Sequence, residues 1–413
     1  MKISIQTLGT LGDVMPFLTV AKALQARGHS VSVLAPRDHS ETIQAWGVDV
    51  AEPPGFSVAD WMQEAEARGT LSGPFSFFRD WHEMIEPHAL DVLDRSIDAA
   101  GQAELVLANP IAMPARIAAE HCRNPLVLIA LQPVITPSSA LPCAMIARQG
   151  LSGPGNKASY IAVAGALAGL ASVLGRERQR LVPEPRPAFW RLDRHLGRPL
   201  PRITALPAIF GIKRPDDFTA SDHLVDYPPL QSSNGLDPAL EAFLKAGPAP
   251  LHVSLGSMPT REVAHALPVW LERIERSGHR AILSTSLAGR PAGGMGVHFV
   301  SGPAPHDRLF PHCSAVIHHG GAGTLDTAAR AGVPQIILPQ VLDQFWNARQ
   351  LADTGAGIIL RKKDHTAENI DAALQTILSD SVQDTARQAA ERLKARASTA
   401  ELVSLIEAYG VAR

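Results

Sequence analysis

Apolar and polar positions change rhythm along this chain. Short apolar runs at 3–6, 31–35, 105–108 and 126–131 alternate with stretches of helical periodicity. Between the first two, Val14, Phe17, Leu18, Ala21 and Leu24 fall on one helical face of the segment 14–27, and Gly28 supplies a stop. Strand, helix, strand with short links is a βαβ unit, and repeated units build a parallel sheet with helices on both faces. The rhythm loosens over 133–250, where prolines cluster and "QSSNGLDP" is turn-rich. It resumes with apolar runs at 251–255, 281–284, 315–318, 335–338 and 357–360, and 366–413 reads as helices. The pattern predicts an α/β chain of two Rossmann-like domains facing a cleft, with C-terminal helices. The first domain is expected over 1–228, a linker over 229–248 and the second domain over 249–413, the last helix packing back on the first domain.

Composition narrows the class. At 413 residues the chain is too long for one core and suits two. Its 46% apolar and 19% charged content excludes bulk disorder, and a net charge of −2 gives no general pull toward nucleic acid. Cys122, Cys143 and Cys313 lack metal-type spacing and suit a reducing compartment, so a cytoplasmic location is expected. The opening "MKISIQTLG" reads as a first strand rather than a signal peptide. The most apolar run, 158–174, falls short of the ~20 residues a membrane span needs. It reads as a buried or pocket-lining helix, with weak membrane association as the lesser reading.

Ligands of open α/β sheets bind beyond the carboxyl ends of the strands. The run 315–318 ends in His319-Gly320-Gly321-Ala322-Gly323-Thr324, and a helical stretch follows from Leu325 to a stop at Gly332. Glycines at a strand-to-helix turn admit a ligand close to the backbone, and the new helix aims unpaired N–H groups and a positive dipole end at it. Thr324 adds a hydroxyl and His319 an imidazole donor. The arrangement suits a diphosphate, yet it is neither the P-loop nor the dinucleotide fingerprint. On the glycines alone, a tight turn with a Thr cap competes with that reading.

The block continues through "AGVP", Pro339, Asp343-Gln344 and "FWNARQL". With "GTLGDVMPF", "ARGHSV" and "HVSLGS", it resembles nucleotide-sugar glycosyltransferases of the two-Rossmann-domain (GT-B) type. The nearest branch holds glycopeptide-antibiotic glycosyltransferases, sterol glucosyltransferases and rhamnolipid rhamnosyltransferases. The resemblance implies that His319 and the backbone of Gly320, Gly321 and Gly323, with the Thr324 hydroxyl, hold the donor diphosphate. It implies that Asp343 and Gln344 bind hydroxyls of the donor sugar, which fits a carboxylate that accepts and an amide that does both. Asp343 as a helix cap is the plainer alternative. Gly256 and Ser257 follow a strand where Ser257 would reach the diphosphate, or form an ordinary turn. "GPAPHDRLF" resembles the loop beside the nucleobase, where Pro305 or His306 would stack. His318 reads as packing or a backbone hydrogen bond.

On the acceptor side, Asp13 stands where similar antibiotic-glycosylating enzymes carry the base that takes the hydroxyl proton. It also suits a helix cap, and a helix N-terminus would lower its pKa. Gly12 and the aromatic stretch with Phe77, Trp81 and Met84 lie where similar enzymes bind acceptors. No Asp-x-Asp occurs in the chain, so metal-independent catalysis is expected, with no cofactor beyond the nucleotide-sugar co-substrate. The expected activity is inverting transfer of a hexose from a UDP- or dTDP-sugar to a hydroxyl of a small lipophilic acceptor (natural product, sterol or lipid type). A nucleotide-sugar 2-epimerase and a non-catalytic activator of another transferase are the alternatives.

Overall fold

The computed structural model describes residues 1–67, 74–146, 151–182, 192–232, 235–254, 261–284, 296–300, 304–396 and 399–411. The chain divides into two compact units. The first holds Met1–Leu206, Ile212–Pro228 and Ser398–Arg413; the second holds Pro207–Gly211 and Pro229–Ala397.

In the first unit, in chain order, come β1 (Lys2–Gln6), α1 (Leu11–Ala26), β2 (Ser30–Leu34), α2 (Ser40–Ala45), β3 (Asp49–Val50), α3 (Val58–Ala67) and α4 (Pro74–Gly101). There follow β4 (Leu105–Ala108), α5 (Met113–Cys122), β5 (Leu126–Ala130), α6 (Gly153–Val173), α7 (Gly175–Leu181), β6 (Arg194–His195), β7 (Arg198–Pro199), β8 (Arg202–Leu206) and β9 (Asp222–Asp226). Among the described residues these form a seven-stranded sheet in the order β3-β2-β1-β4-β5-β8-β9, every pairing parallel. Strands β4 and β5 are buried at every position, because a parallel sheet is covered on both faces. Strand order reverses between β1 and β4, so the loops leaving these two strands occupy the usual ligand position of such a sheet.

The second unit runs α8 (Pro238–Lys245), β10 (Leu251–Ser254), α9 (Arg261–Arg276), β11 (Ala281–Ser284), β12 (Val297–Val300), α10 (His306–Leu309), β13 (Ala315–His318) and α11 (Ala322–Arg330). It continues with β14 (Gln335–Ile337), α12 (Gln344–Ala352), β15 (Gly357–Ile359), α13 (Ala367–Ile377) and α14 (Asp380–Lys394). Its sheet, six-stranded among the described residues, has the order β12-β11-β10-β13-β14-β15 and is again parallel throughout. Here the reversal lies between β10 and β13. No helix of the described residues is long and apolar enough to cross a membrane.

Two boundaries differ from the sequence expectation. Residues 229–248 are not a bare linker: α8 lies there, capped by Asp237, whose carboxylate accepts from the N–H groups of Ala239 and Leu240, and Leu240 is buried in the second unit's core. The segment Pro207–Gly211, expected in the first domain, belongs to the second unit. Ile209 and Phe210 pack against Leu325, Ile337 and Leu351, and Phe210 meets Trp346 edge to face at 5.5 Å.

The final helix, α15 (Ala400–Val411), belongs to the first unit. Glu407 accepts from Arg27 at 2.6 Å and pairs with His29 at 2.9 Å, and Tyr409 meets His223 at 2.7 Å. A Cβ on Gly410 would stand 2.7 Å from the Met1 sulfur, so the helix packs closely on the Met1 side chain. Leu402, Val403 and Ile406 are buried. Burial rather than the exposed ion pair is the larger stabilising effect at this helix. Ile406→Ala should therefore destabilise the first unit by about 2–5 kcal/mol, read as a lower melting temperature, whereas Arg27→Ala should change it little.

Candidate functional site

In the second unit, β13 ends at His318 and α11 begins at Ala322, three residues earlier than the sequence suggested, with Gly321 as its cap residue. Gly323 and Thr324 are thus inside the first helical turn. Gly321 has no side chain to satisfy the leading N–H groups, and no acidic residue stands in that turn. The amides of Ala322, Gly323 and Thr324 have no intrahelical acceptor by the geometry of any helix start. Residues 321–324 are half-buried, so they are reachable. A helix start left open in this way suits an anion.

The His319 ring stands against it: a Cβ on Gly321 would come 2.7 Å from Nε2. Burial pushes the His319 pKa down to about 4, the Ser254 backbone pulling the other way. His319 therefore enters the site as a neutral imidazole, and its contribution to an unliganded site is hydrogen bonding rather than charge.

Gly320 has a different role from the one expected. Its φ is +97°, and a Cβ there would meet Ile337 at 2.8 Å and the Gln344 carbonyl at 3.2 Å, so glycine is required twice over. Its N–H is already spent: it donates to His318 Nδ1 at 3.2 Å. Its carbonyl accepts from Asn347 Nδ2 at 3.0 Å. Gly320 is therefore not an amide donor for a ligand; it holds the turn.

His318 is fully buried, and its partners fix its tautomer. Gln335 Nε2 donates to the Leu325 carbonyl at 3.2 Å, which leaves Gln335 Oε1 to accept from His318 Nε2 at 2.8 Å. His318 Nδ1 must then be the acceptor that Gly320 uses. Burial, then the neighbouring His319, hold the His318 pKa down at about 3, so this neutral form persists. The expectation of a backbone hydrogen bond at His318 understated its part, since the bond orients the turn.

Asp343 and Gln344 lie at the start of α12, across the turn. Asp343 occupies the cap position without a side-chain capping bond; its Oδ2 accepts from Asn347 Nδ2 at 3.0 Å. The carboxylate is held by Asn347 rather than by a capping bond to its own helix end. Gln344 Oε1 accepts from the Gln340 and Val341 amides at 2.9 and 3.1 Å, so that oxygen shapes its own loop. Leu342, just before Asp343, has φ +51°, a left-handed conformation that costs a non-glycine residue energy.

The other donor candidates divide. Gly256 and Ser257 lie outside the described residues. Pro305 caps α10 and is half-buried. His306 stacks on Phe310, centroids 4.6 Å apart, and meets His252 edge-on at 5.4 Å, so one face of its ring is already covered. Burial lowers its pKa to about 4.

In the first unit, Asp13 is the third residue of α1, inside the helix rather than ahead of it. Thr10 donates to Asp13 Oδ2 from its N–H at 2.9 Å and its hydroxyl at 3.1 Å. Gly9 allows this: any Cβ there would overlap Oδ2. The expected lowering of its pKa is overturned. Burial outweighs the Thr10 hydrogen bonds and raises the value to about 6. Two residues that sequence reasoning missed hold the loop: Asn109, just past β4, donates to Thr7 Oγ1 at 2.9 Å, and His39 Nε2 meets the Gly9 carbonyl at 3.1 Å. Asn109 had a positional signal, since it leaves the strand next to β1. Gly12 is exposed on the first turn of α1. The side chains of Phe77, Trp81 and Met84 lie outside the described residues.

The tautomer argument at His318 has a direct check. Asn can present an acceptor at the Nδ1 position; Gln reaches only toward Nε2. His318→Asn should retain affinity for UDP or dTDP within a fewfold, while His318→Gln should lose about tenfold, measured by calorimetry. Equal affinities in the two variants would refute the role of Nδ1.

Residues 295–409 match the family model described as Erythromycin biosynthesis protein CIII-like, C-terminal domain. The sterol 3-beta-glucosyltransferase of Debaryomyces hansenii is 27% identical over 422 residues, covering 95% of this chain and 26% of that protein. The vancomycin aglycone glucosyltransferase of Amycolatopsis orientalis is 41% identical over 151 residues, covering 36% of this chain and 37% of that one. The chain thus spans about a quarter to a third of the length of the sterol 3-beta-glucosyltransferases of Debaryomyces hansenii and Komagataella phaffii that it matches. Among solved structures, the glycosyltransferase SnogD of Streptomyces nogalater superimposes with a TM-score of 0.70 at 20% identity, covering 99% of both chains. The glycosyltransferase VinC in complex with dTDP gives 0.69 at 18% identity, again over 99% of both. The chain therefore has the GT-B glycosyltransferase fold over its length, with an EryCIII-like C-terminal domain at residues 295–409.

Proposed function

We propose that this protein transfers a hexose from a UDP- or dTDP-sugar to a hydroxyl of a small lipophilic acceptor, with inversion and without a metal. The observation that carries this reading is the open first turn of α11, with the neutral His319 ring against it and Asp343 held across from it by Asn347. Backbone amides at a helix start stabilise the charge that grows on a departing nucleoside diphosphate, and they need no reorganisation to do so. The structures of VinC with dTDP and of SsfS6 with thymidine diphosphate support a nucleoside diphosphate as the ligand. The sterol and vancomycin-aglycone relatives support a lipophilic acceptor.

Asp13 supplies the base. A carboxyl with a pKa of about 6 is largely ionised at pH 7.5, yet basic enough to take a hydroxyl proton as the new bond forms. Thr10 keeps Oδ2 oriented, which leaves Oδ1 for the acceptor. Inversion follows if the acceptor oxygen attacks opposite the departing diphosphate in one displacement.

The donor assignment is tested by thermal shift. Millimolar UDP or dTDP should raise the melting temperature by mass action. His319→Ala should reduce that shift, and turnover should survive a chelator. No shift with either nucleotide would sink the reading, and magnesium-restored activity would sink its metal-free part.

The base is tested by pH. Turnover should fall as pH drops through about 6, the value of the Asp13 carboxyl. Asp13→Asn should lower turnover by about 10²–10⁴-fold with nucleotide affinity intact. Stability should move the other way. The folded pKa lies above the ordinary 3.8, so Asp13 contributes stability fully below that value and loses it as pH rises through about 6. Asparagine still accepts from Thr10, so the variant should melt no lower than the parent at pH 8. A variant that turns over within a fewfold of the parent would place the base elsewhere.

A further inference from the structure

One residue touches both halves of the proposed donor site, and neither the sequence reading nor the relatives' names single it out. Asn347 lies on the first turn of α12 and is 1% exposed. Its Nδ2 carries two protons and spends both. One goes to the Gly320 carbonyl at 3.0 Å, in the phosphate turn; the other goes to Asp343 Oδ2 at 3.0 Å. These two acceptors belong to different loops, one leaving β13 and one leaving β14. We propose that Asn347 is a positioning residue that locks the diphosphate turn and the sugar-facing carboxylate of Asp343 into one geometry, so that both parts of a nucleotide sugar are met together.

The chemistry singles out asparagine. A planar NH₂ group donates in two directions about 120° apart and carries no charge. Aspartate of the same size would bring a third oxygen against two oxygens, with no proton to share. Leucine would leave the Gly320 carbonyl unsatisfied in a buried place. Serine has one proton and a shorter reach. Gly320 is held from its other side by His318, so losing Asn347 frees one end of the peptide and lets the turn shift under its ligand.

This inference rests on the donor-site reading, and the experiment separates the two. UDP and dTDP binding are measured by calorimetry for the parent, Asn347→Asp and Asn347→Ser between pH 5 and 8. If the parent binds neither nucleotide, the donor-site reading fails. If it binds, Asn347→Asp should bind about tenfold more weakly at pH 8. It should recover much of that loss toward pH 5, where a protonated carboxyl regains one O–H donor. His318, His319 and Asp343, the titratable groups of the same turn, remain in both proteins, so the ratio of variant to parent at each pH reports the new carboxyl at 347 together with the Asp343 carboxylate it touches. A purely structural role would give a loss that follows melting temperature and has no such pH recovery. Asn347→Ser keeps the charge neutral and covers the case in which the Asp variant does not fold; it should bind severalfold more weakly at a temperature where both proteins are fully folded. Binding within twofold of the parent in the folded variants, or a loss in Asn347→Asp that stays constant with pH, would overturn the proposal.

Discussion

The Gly320 peptide has both of its polar groups turned inward, and the open helix start depends on that. Its N–H is taken by a histidine that burial keeps neutral near pH 7, and its carbonyl is taken by a buried asparagine. A glycine turn left to itself samples many conformations, because no Cβ restrains it. Here two hydrogen bonds and the contact with Ile337 reduce that freedom to one shape. Past the Gly321 cap, Ala322, Gly323 and Thr324 then begin α11 with their amides lacking an intrahelical acceptor. Preorganisation of this kind is what lets backbone dipoles act on a developing charge without first having to be ordered.

The glycine turn between β13 and α11 was legible because its signal is local. Three glycines within four residues, directly after an apolar run and before a helical pattern, have few physical readings. What held it was not legible, for the reason that it is not local. Gln335 reaches back ten residues to the Leu325 carbonyl and seventeen to His318, and Asn347 reaches twenty-seven to Gly320. Neither carries a pattern of its own; an asparagine on a helix face is ordinary until its partners are known. The adjacent histidines were likewise indistinguishable by sequence. Strand alternation separates them: His318 points into the sheet's covering layer and is sealed, while His319 starts the turn and is half-buried.

The sheets followed the same logic. Parallel strands buried on both faces stand out as continuous apolar runs, so β1, β2, β4 and β5 of the first sheet and β10, β11, β13, β14 and β15 of the second could be read, whereas the two-residue β3, the partly exposed β9 and β12, and β8 were missed. The boundary failed where no run existed. Pro207–Gly211 joins the second unit through just two apolar side chains, Ile209 and Phe210, too short a signal for periodicity to register. Residues 229–248 looked like linker because prolines and turn residues dominate their start, yet eight residues are enough for α8 once Asp237 caps them and Leu240 finds a core.

Each unit ends a strand at its order reversal and then turns through glycine into a helix, but the two helix starts are used in opposite ways. In α1 the chain supplies its own anion. Asp13, at the third position, accepts from the Thr10 N–H and hydroxyl, so the positive end of that helix already faces a carboxylate. In α11 the cap is glycine and the first turn carries no acid, so the same dipole remains available for an anion from solution. That contrast sorts the chemistry. The filled terminus holds a carboxylate whose basicity is set by the balance between burial, which raises its pKa, and the Thr10 hydrogen bonds, which lower it. Burial wins, and the carboxyl is more basic than an ordinary aspartate. The unfilled terminus would weaken if it gained an acid of its own: an Asp at the Thr324 position would compete with a diphosphate for the same amides. One elementary feature of a helix, its unpaired leading amides, thus serves two purposes, and the residue three positions past the cap decides between them.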